Sequence, residues 1–170
     1  MEFSDGVIQF RAIEPGDLET LRKWINDPET ARFLDISWPV SSMEQQEWFK
    51  RVSGDRHRKK LAIELVSGDL IGLLSLMHID RDNRSVELGL TIGAMEYRGK
   101  GLGTRALRLA MQVLFERFNF HRVWAKILET NEPCLRLFKQ AGFQQEGLLR
   151  ESVYWNGTMI GTIVVAHLRR

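Results

Sequence analysis

The chain holds one cysteine, Cys134, in 170 residues. No intrachain disulfide can form, and a reducing compartment, the cytoplasm, is the expected setting. No stretch approaches about 18 consecutive apolar residues, so no spanning helix is predicted. The opening MEFSDGVIQFRA has no long apolar run, which predicts neither a signal peptide nor an anchor. An excess of one charge is also missing: Lys+Arg 24 stand against Asp+Glu 22, a formal +2. That balance argues against a nucleic-acid binder. Four histidines, His57, His78, His121 and His167, show no metal-ligand spacing, and no metal is expected. Repeats, low-complexity segments and linkers are absent too. With 44% hydrophobic residues, the chain reads as one domain over 1–170, long enough to bury a core without staples.

The pattern of elements is mixed α/β. Val7–Ile13 reads as a first strand, closed by Glu14-Pro15-Gly16. Asp17 caps a helix through Asn26, and Asp27-Pro28 starts a short second helix towards Leu34. Asp35–Val40 should be an irregular loop around Trp38-Pro39. Ser41 or Ser42 then caps a third helix. Lys60–Val66 and Leu70–Ile79 form a hairpin across Ser67-Gly68-Asp69. Val86–Ile92 is a strand, Gly101–Phe118 a helix and Arg122–Leu128 a strand. That βαβ order implies a locally parallel pair inside a mixed sheet. Helix Asn131–Ala141 closes at Gly142, and two last strands meet at Asn156-Gly157.

The chemistry concentrates in Glu87–Thr104, ELGLTIGAMEYRGKGLGT. A strand runs into a glycine-rich turn that opens a helix, which builds an anion cradle. Gly99, Gly101 and Gly103 allow close main-chain approach, the first amides of the helix (Leu102, Gly103, Thr104) lack partners, and Arg98 and Lys100 add positive charge. A P-loop is excluded because Lys100 is followed by glycine. A dinucleotide fingerprint is excluded because G-K-G-L-G-T is one residue short and lies late in the chain. R-x-x-G-x-G, Arg98 to Gly103, is the pattern present.

With these segments the chain resembles the GCN5-related N-acetyltransferases, in the branch of ribosomal-protein N-terminal and spermidine acetyltransferases. The resemblance runs through Trp24–Glu29, Glu87-Leu88-Gly89, Tyr97–Thr104, Asn131-Glu132-Pro133 with Ala141-Gly142-Phe143, Gly147–Arg150 and Asn156-Gly157. It implies a mixed sheet of about seven strands flanked by about four helices, with splayed central parallel strands. It also implies acetyl-CoA as cosubstrate, its pyrophosphate on Arg98–Thr104 and its pantetheine beside Leu90, Thr91 and Ile92. The backbone N–H of Ile92 would face the thioester oxygen. The extra residues Gly93–Glu96 suit a bulge that makes the splay. Asn131 would bond the pantetheine as well as cap its helix, with Cys134 and Phe138 nearby.

Glu87 has two readings. Alternation puts it with Gly89 and Thr91 on the face opposite Val86, Leu88, Leu90 and Ile92. It either takes the acceptor's proton or binds its ammonium, or it forms a salt bridge, for example with an arginine. Two positions depart from the family: Phe138 stands where many relatives have a tyrosine proposed to protonate the thiolate, and Gly161 where many carry aspartate. Either Tyr154 or water then donates the proton, or the thiolate leaves unaided, and no general acid is assigned. Cys134 has no base beside it in sequence and reads as packing.

The expected activity is acetyl transfer from acetyl-CoA to a primary amine by direct attack in a ternary complex. The amine could be on a protein N-terminus, a polyamine, an amino sugar or an aminoglycoside; Asp35, Glu44, Asp80 and Asp82 are candidates for an acidic rim. The alternative is a non-catalytic acyl-CoA-binding module. A homodimer through a sheet edge or the last hairpin is the expected assembly, with no nucleic-acid or membrane partner.

Overall fold

The computed structural model describes residues 3–34 and 38–170. Of the loop expected at Asp35–Val40, the first three residues, including the candidate rim residue Asp35, lie outside them. Eight strands form one sheet in the order β1-β2-β3-β4-β5-β6-β8-β7. They are β1 Phe3–Ser4, β2 Ile8–Ala12, β3 Lys59–Leu65, β4 Leu70–Asp80, β5 Ser85–Ile92, β6 Arg122–Leu128, β7 Gln144–Trp155 and β8 Thr158–Leu168. Five α-helices accompany them: α1 Leu18–Asn26, α2 Pro28–Ala31, α3 Ser42–Gly54, α4 Leu102–Gln112 and α5 Glu132–Gln140. The short β1 has no counterpart in the sequence reading, since two residues are too few to show a period.

Two apolar clusters sandwich the sheet. On one face Val86, Leu88, Val123, Ala125 and Ile127 meet Ala106, Leu107, Ala110 and Leu114 of α4 and its extension. On the other, Ala62 and Leu73 meet Leu18 and Leu21 of α1 and Trp48 and Phe49 of α3. The extension of α4, Val113–Arg117, widens into a π-helix.

Local signals explain most element ends. Ser41 and Glu44 form a reciprocal capping box at α3, and the Asp27 side chain accepts from the Thr30 N–H at α2. Asp17 does not cap α1. Its carboxylate accepts from the Glu14 N–H and from Arg11, because the chain first makes a short 3-10 turn at Pro15–Asp17. Asn156 and Gly157 have φ of 44° and 85°, the two left-handed positions of a tight hairpin turn.

The decisive feature is the junction of the two half-sheets. β5 and β6 pair in parallel only at Ser85–Arg122, Val86–Val123 and Glu87–Trp124. Beyond Glu87 the strands separate, while β5 stays paired with β4 as far as Ile92 and β6 with β8 as far as Leu128. A wedge opens between them. At its mouth the N–H groups of Gly93 and Ala94 both donate to Ile71 O, two amides on one carbonyl, and the chain turns through a 3-10 turn at Met95–Tyr97. That two-on-one pattern is how a bulge bends a strand from its neighbour.

Candidate active site

Strand amides alternate in direction. The Gly93 N–H donates towards β4, so those of Ile92 and Leu90 point into the wedge and that of Thr91 points back towards β4. The β6-facing edge of β5 past Glu87 is thus a row of main-chain groups with no strand opposite, among the described residues.

The cradle stands at the mouth of this wedge. Gly99 and Gly101 have φ of +70° and +76°, which glycine alone adopts without strain. Gly101 is the N-cap of α4 and contributes no side chain; the first bond of the helix is Arg105 N–H to Gly101 O, 3.1 Å. The N–H groups of Leu102, Gly103 and Thr104 therefore precede any intrahelical acceptor and face the positive end of the dipole. A Cβ on Gly103 would lie 3.8 Å from Leu137 and 3.9 Å from Ile92. The first turn of α4 thus touches both α5 and the end of β5, which brings cradle, wedge and Asn131 helix together.

Not every predicted residue is free to bind. Arg98 is turned inward: its Nε donates to Ile92 O at 2.8 Å and an Nη2 to Thr30 Oγ1 at 2.9 Å. Lys100, with Nζ 5.5 Å from the Tyr97 ring centroid, is the exposed cation of the cradle. Asn131 caps α5, accepting from the Cys134 N–H at 3.3 Å. Burial pushes the Cys134 thiol up to about 11, which makes it a poor nucleophile at neutral pH. Phe138 is 1% exposed and packs edge-to-face on Phe143 at 4.8 Å, so its ring serves the core. Tyr154 is 71% exposed near the tip of the last hairpin.

Glu87 occupies the last paired position before the wedge, with only 9% of its side chain exposed. Its partner is not an arginine. His78 Nδ1 lies 2.6 Å from Glu87 Oε2, and the imidazole stacks on Trp124 at 5.9 Å. Alternation would send His78 with Leu74 and Leu76 to the α4 face. A register shift between Met77 and Asp80, with His78 at φ +46°, swings it to the Glu87 face instead. Gly161 also finds a substitute for a side chain: its N–H donates to Glu129, and a Cβ there would lie 3.0 Å from Glu129 Oε2. Glu129 follows the end of β6, and its carboxylate is engaged by the Gly161 N–H of β8, the neighbour of β6 on the side away from the wedge. His78 and Glu129 carry no sequence signal, because each depends on strand register. Among the described residues no cluster of three or more His, Cys, Asp or Glu side chains could hold a metal ion, and no helix is long and apolar enough to cross a membrane.

The model of the acetyltransferase (GNAT) domain matches residues 8–144. The chain belongs to this family. It is similar to the spermidine N(1)-acetyltransferase of Vibrio cholerae, with 28% identity over 88% of this chain and 86% of that one. A crystal structure of spermidine N-acetyltransferase from Vibrio cholerae with CoA and spermine superposes with a TM-score of 0.90, 26% identity and 96% coverage of both chains. A dodecameric structure of the Vibrio cholerae enzyme gives a TM-score of 0.82 at 26% identity, covering 96% of this chain and 95% of that one. This protein is a GNAT N-acetyltransferase that uses acetyl-CoA, with the mixed, centrally splayed sheet expected of the fold. The glycine turn, the bare helix start and the open strand edge fit that cosubstrate, since they supply amides for a pyrophosphate and a strand-like partner for a pantetheine.

Proposed function

We propose that the protein acetylates a primary amine of a polyamine, by direct attack on the thioester in a ternary complex. The carrying observation is the wedge, with unpaired amides along one side and a buried carboxylate at its apex. In this reading the pyrophosphate lies on the amides of Gly99–Thr104 with Lys100 above, and the pantetheine runs beside Leu90, Thr91 and Ile92. The Ile92 N–H faces the thioester oxygen, where negative charge develops; such a donor lowers a barrier by about 3–4 kcal/mol in comparable sites. Asn131 bonds the pantetheine from the start of α5, while Cys134 and Phe138 pack beneath it. No covalent intermediate is needed, because the buried Cys134 thiol is poorly ionised.

The polyamine assignment rests on similarity to the spermidine enzyme. Phe138 offers no proton, so the thiolate leaves to solvent; a free thiol near 8.5 permits that. A homo-oligomer is part of the proposal. It is supported by exposed Leu148, Leu149, Tyr154 and Met159 on the β7–β8 hairpin at the sheet edge and by the dodecameric relative. The single thiol fits a cytoplasmic setting.

The test is release of free thiol from acetyl-CoA with spermidine, spermine, a peptide N-terminus, glucosamine and an aminoglycoside. Turnover highest with the two polyamines supports the reading. Binding of acetyl-CoA without turnover of any amine would instead assign a carrier-binding module.

A further inference from the structure

We propose that His78, rather than Glu87, takes the proton from the acceptor ammonium, and that Glu87 is the residue that positions it. This rests on the N-acetyltransferase reading above. In the pairing this proposal assigns to the 2.6 Å contact, His78 Nδ1–H donates to the Glu87 Oε2 carboxylate oxygen. In a neutral imidazole that bond fixes the tautomer and leaves Nε2 as the bare nitrogen. The two side chains differ sharply in access: 63% of His78 is exposed against 9% of Glu87. The basic atom presented to an incoming amine is therefore the imidazole Nε2, on a ring stacked at 28° to Trp124 at the apex of the wedge.

The backbone is shaped for this placement. His78 sits in the left-handed region at φ +46°, inside the register shift of β4. Non-glycine residues held there are costly and cluster at working sites. The shift carries the ring across β5 to reach Glu87 and Trp124. A buried acid, an imidazole with one nitrogen engaged and an open second nitrogen is the geometry of a general base with its orienting group.

The charged groups around the ring are few. Glu87 faces it from β5. Lys126 of β6 lies over the same indole, its Nζ 5.5 Å from the ring centroid. Asp80 of β4 is engaged by Asn83. Before β3, His57 accepts from the Ile79 N–H through its carbonyl, with Arg58 beside it. The ammonium gives one proton to Nε2, forming a free amine and an imidazolium whose Nδ1–H stays on Glu87. The amine attacks the thioester carbonyl; the C–N bond forms, the C–S bond breaks, and the departing thiolate takes up a proton as the nitrogen loses its second. The imidazolium then returns its Nε2 proton to water.

The test uses His78→Gly, which suits the left-handed backbone, beside His78→Gln and Glu87→Gln, with thiol release from acetyl-CoA and spermidine followed from pH 6 to 9.5. The expected result for both His78 variants is a fall in kcat of about 10²–10⁴-fold, with KM changed far less. The acid limb of the wild-type pH profile disappears, and added imidazole restores part of the His78→Gly rate. Nitrogen NMR of the wild type should show the Nδ1–H tautomer, and Glu87→Gln should lose it. Wild-type-like kcat and pH profile in His78→Gly, or an Nε2–H tautomer in the wild type, overturns the assignment while leaving the acetyltransferase reading intact. A wild type that turns over no amine sinks that reading instead.

Discussion

Arg98 lies in the motif that names the cradle, yet its guanidinium fastens the protein to itself. Nε holds Ile92 O and Nη2 holds Thr30 Oγ1, which ties the end of β5 to α2. Thr30 is itself 6% exposed. Hydrogen bonds from a charged group contribute about 1.5–3 kcal/mol each. Arg98→Ala removes two, and water can return to the half-exposed carbonyl, so the expected loss is about 2–4 kcal/mol. For a chain of this size each kcal/mol moves Tm by about 2–4 °C, which puts the apo-protein melt roughly 5–15 °C lower. Arg98→Lys keeps the charge but not the fork, and a point charge cannot serve both acceptors. It should lose about half as much. Thermal melts of the three proteins, with and without CoA, read the effect, and calorimetry gives CoA affinity. Should Arg98→Ala melt like the wild type while binding CoA weakly, and Arg98→Lys restore that binding, Arg98 is a phosphate ligand and the latch is wrong.

Gly72→Ala would place a Cβ 2.2 Å from the Thr91 carbonyl oxygen; β4 and β5 must part, costing at least about 1–3 kcal/mol and slowing turnover through the displaced Ile92 N–H, both measurable in one preparation. Phe138→Tyr adds a hydroxyl to a ring that is 1% exposed, so a loss of about 1–3 kcal/mol in denaturant titration is expected with no gain in kcat. Cys134, its thiol held near 11 by burial, should resist a disulfide reagent at pH 8 and react only once the protein unfolds. Burial pushes the Asp17 carboxyl up, but Arg11 and the Glu14 amide outweigh it and hold it below its ordinary value. Its stabilisation is therefore complete above about pH 4 and lost as pH falls through the depressed value; Asp17→Asn should flatten the acid limb of a Tm-against-pH curve.

The parts legible in the sequence were those written in local periods and obligatory residue types. Gly99 and Gly101 announce positive φ, Asn156-Gly157 announces its hairpin, and the alternation of Val86–Ile92 correctly separates Glu87 from the core. The splay is implied at the right strands by the family resemblance, and the extra residues Gly93–Glu96 are compatible with the bulge that makes it. What stayed hidden depends on partners far away in the chain. Nothing near Arg98 reveals Thr30, 68 positions earlier. His78 was invisible as a site residue because the alternation of β4 sends it to the wrong face, and only the shifted register brings it to Glu87. Glu129 reads as a solvated loop acid until β6 and β8 pair and place Gly161 beneath it. Asp17 misled for a related reason: Arg11 and the Glu14 amide claimed the carboxylate that would have capped α1.

Three residue pairs are all that couple β5 to β6, so strands β1–β5 and β6–β8 behave as two leaves joined at a short spine. Deuterium labelling should register this as an asymmetry along one strand. In the free protein the amides of Leu90 and Ile92 exchange quickly while those of Val86 and Leu88 are retained, and a ligand seated between the leaves slows the fast pair to the pace of the slow one.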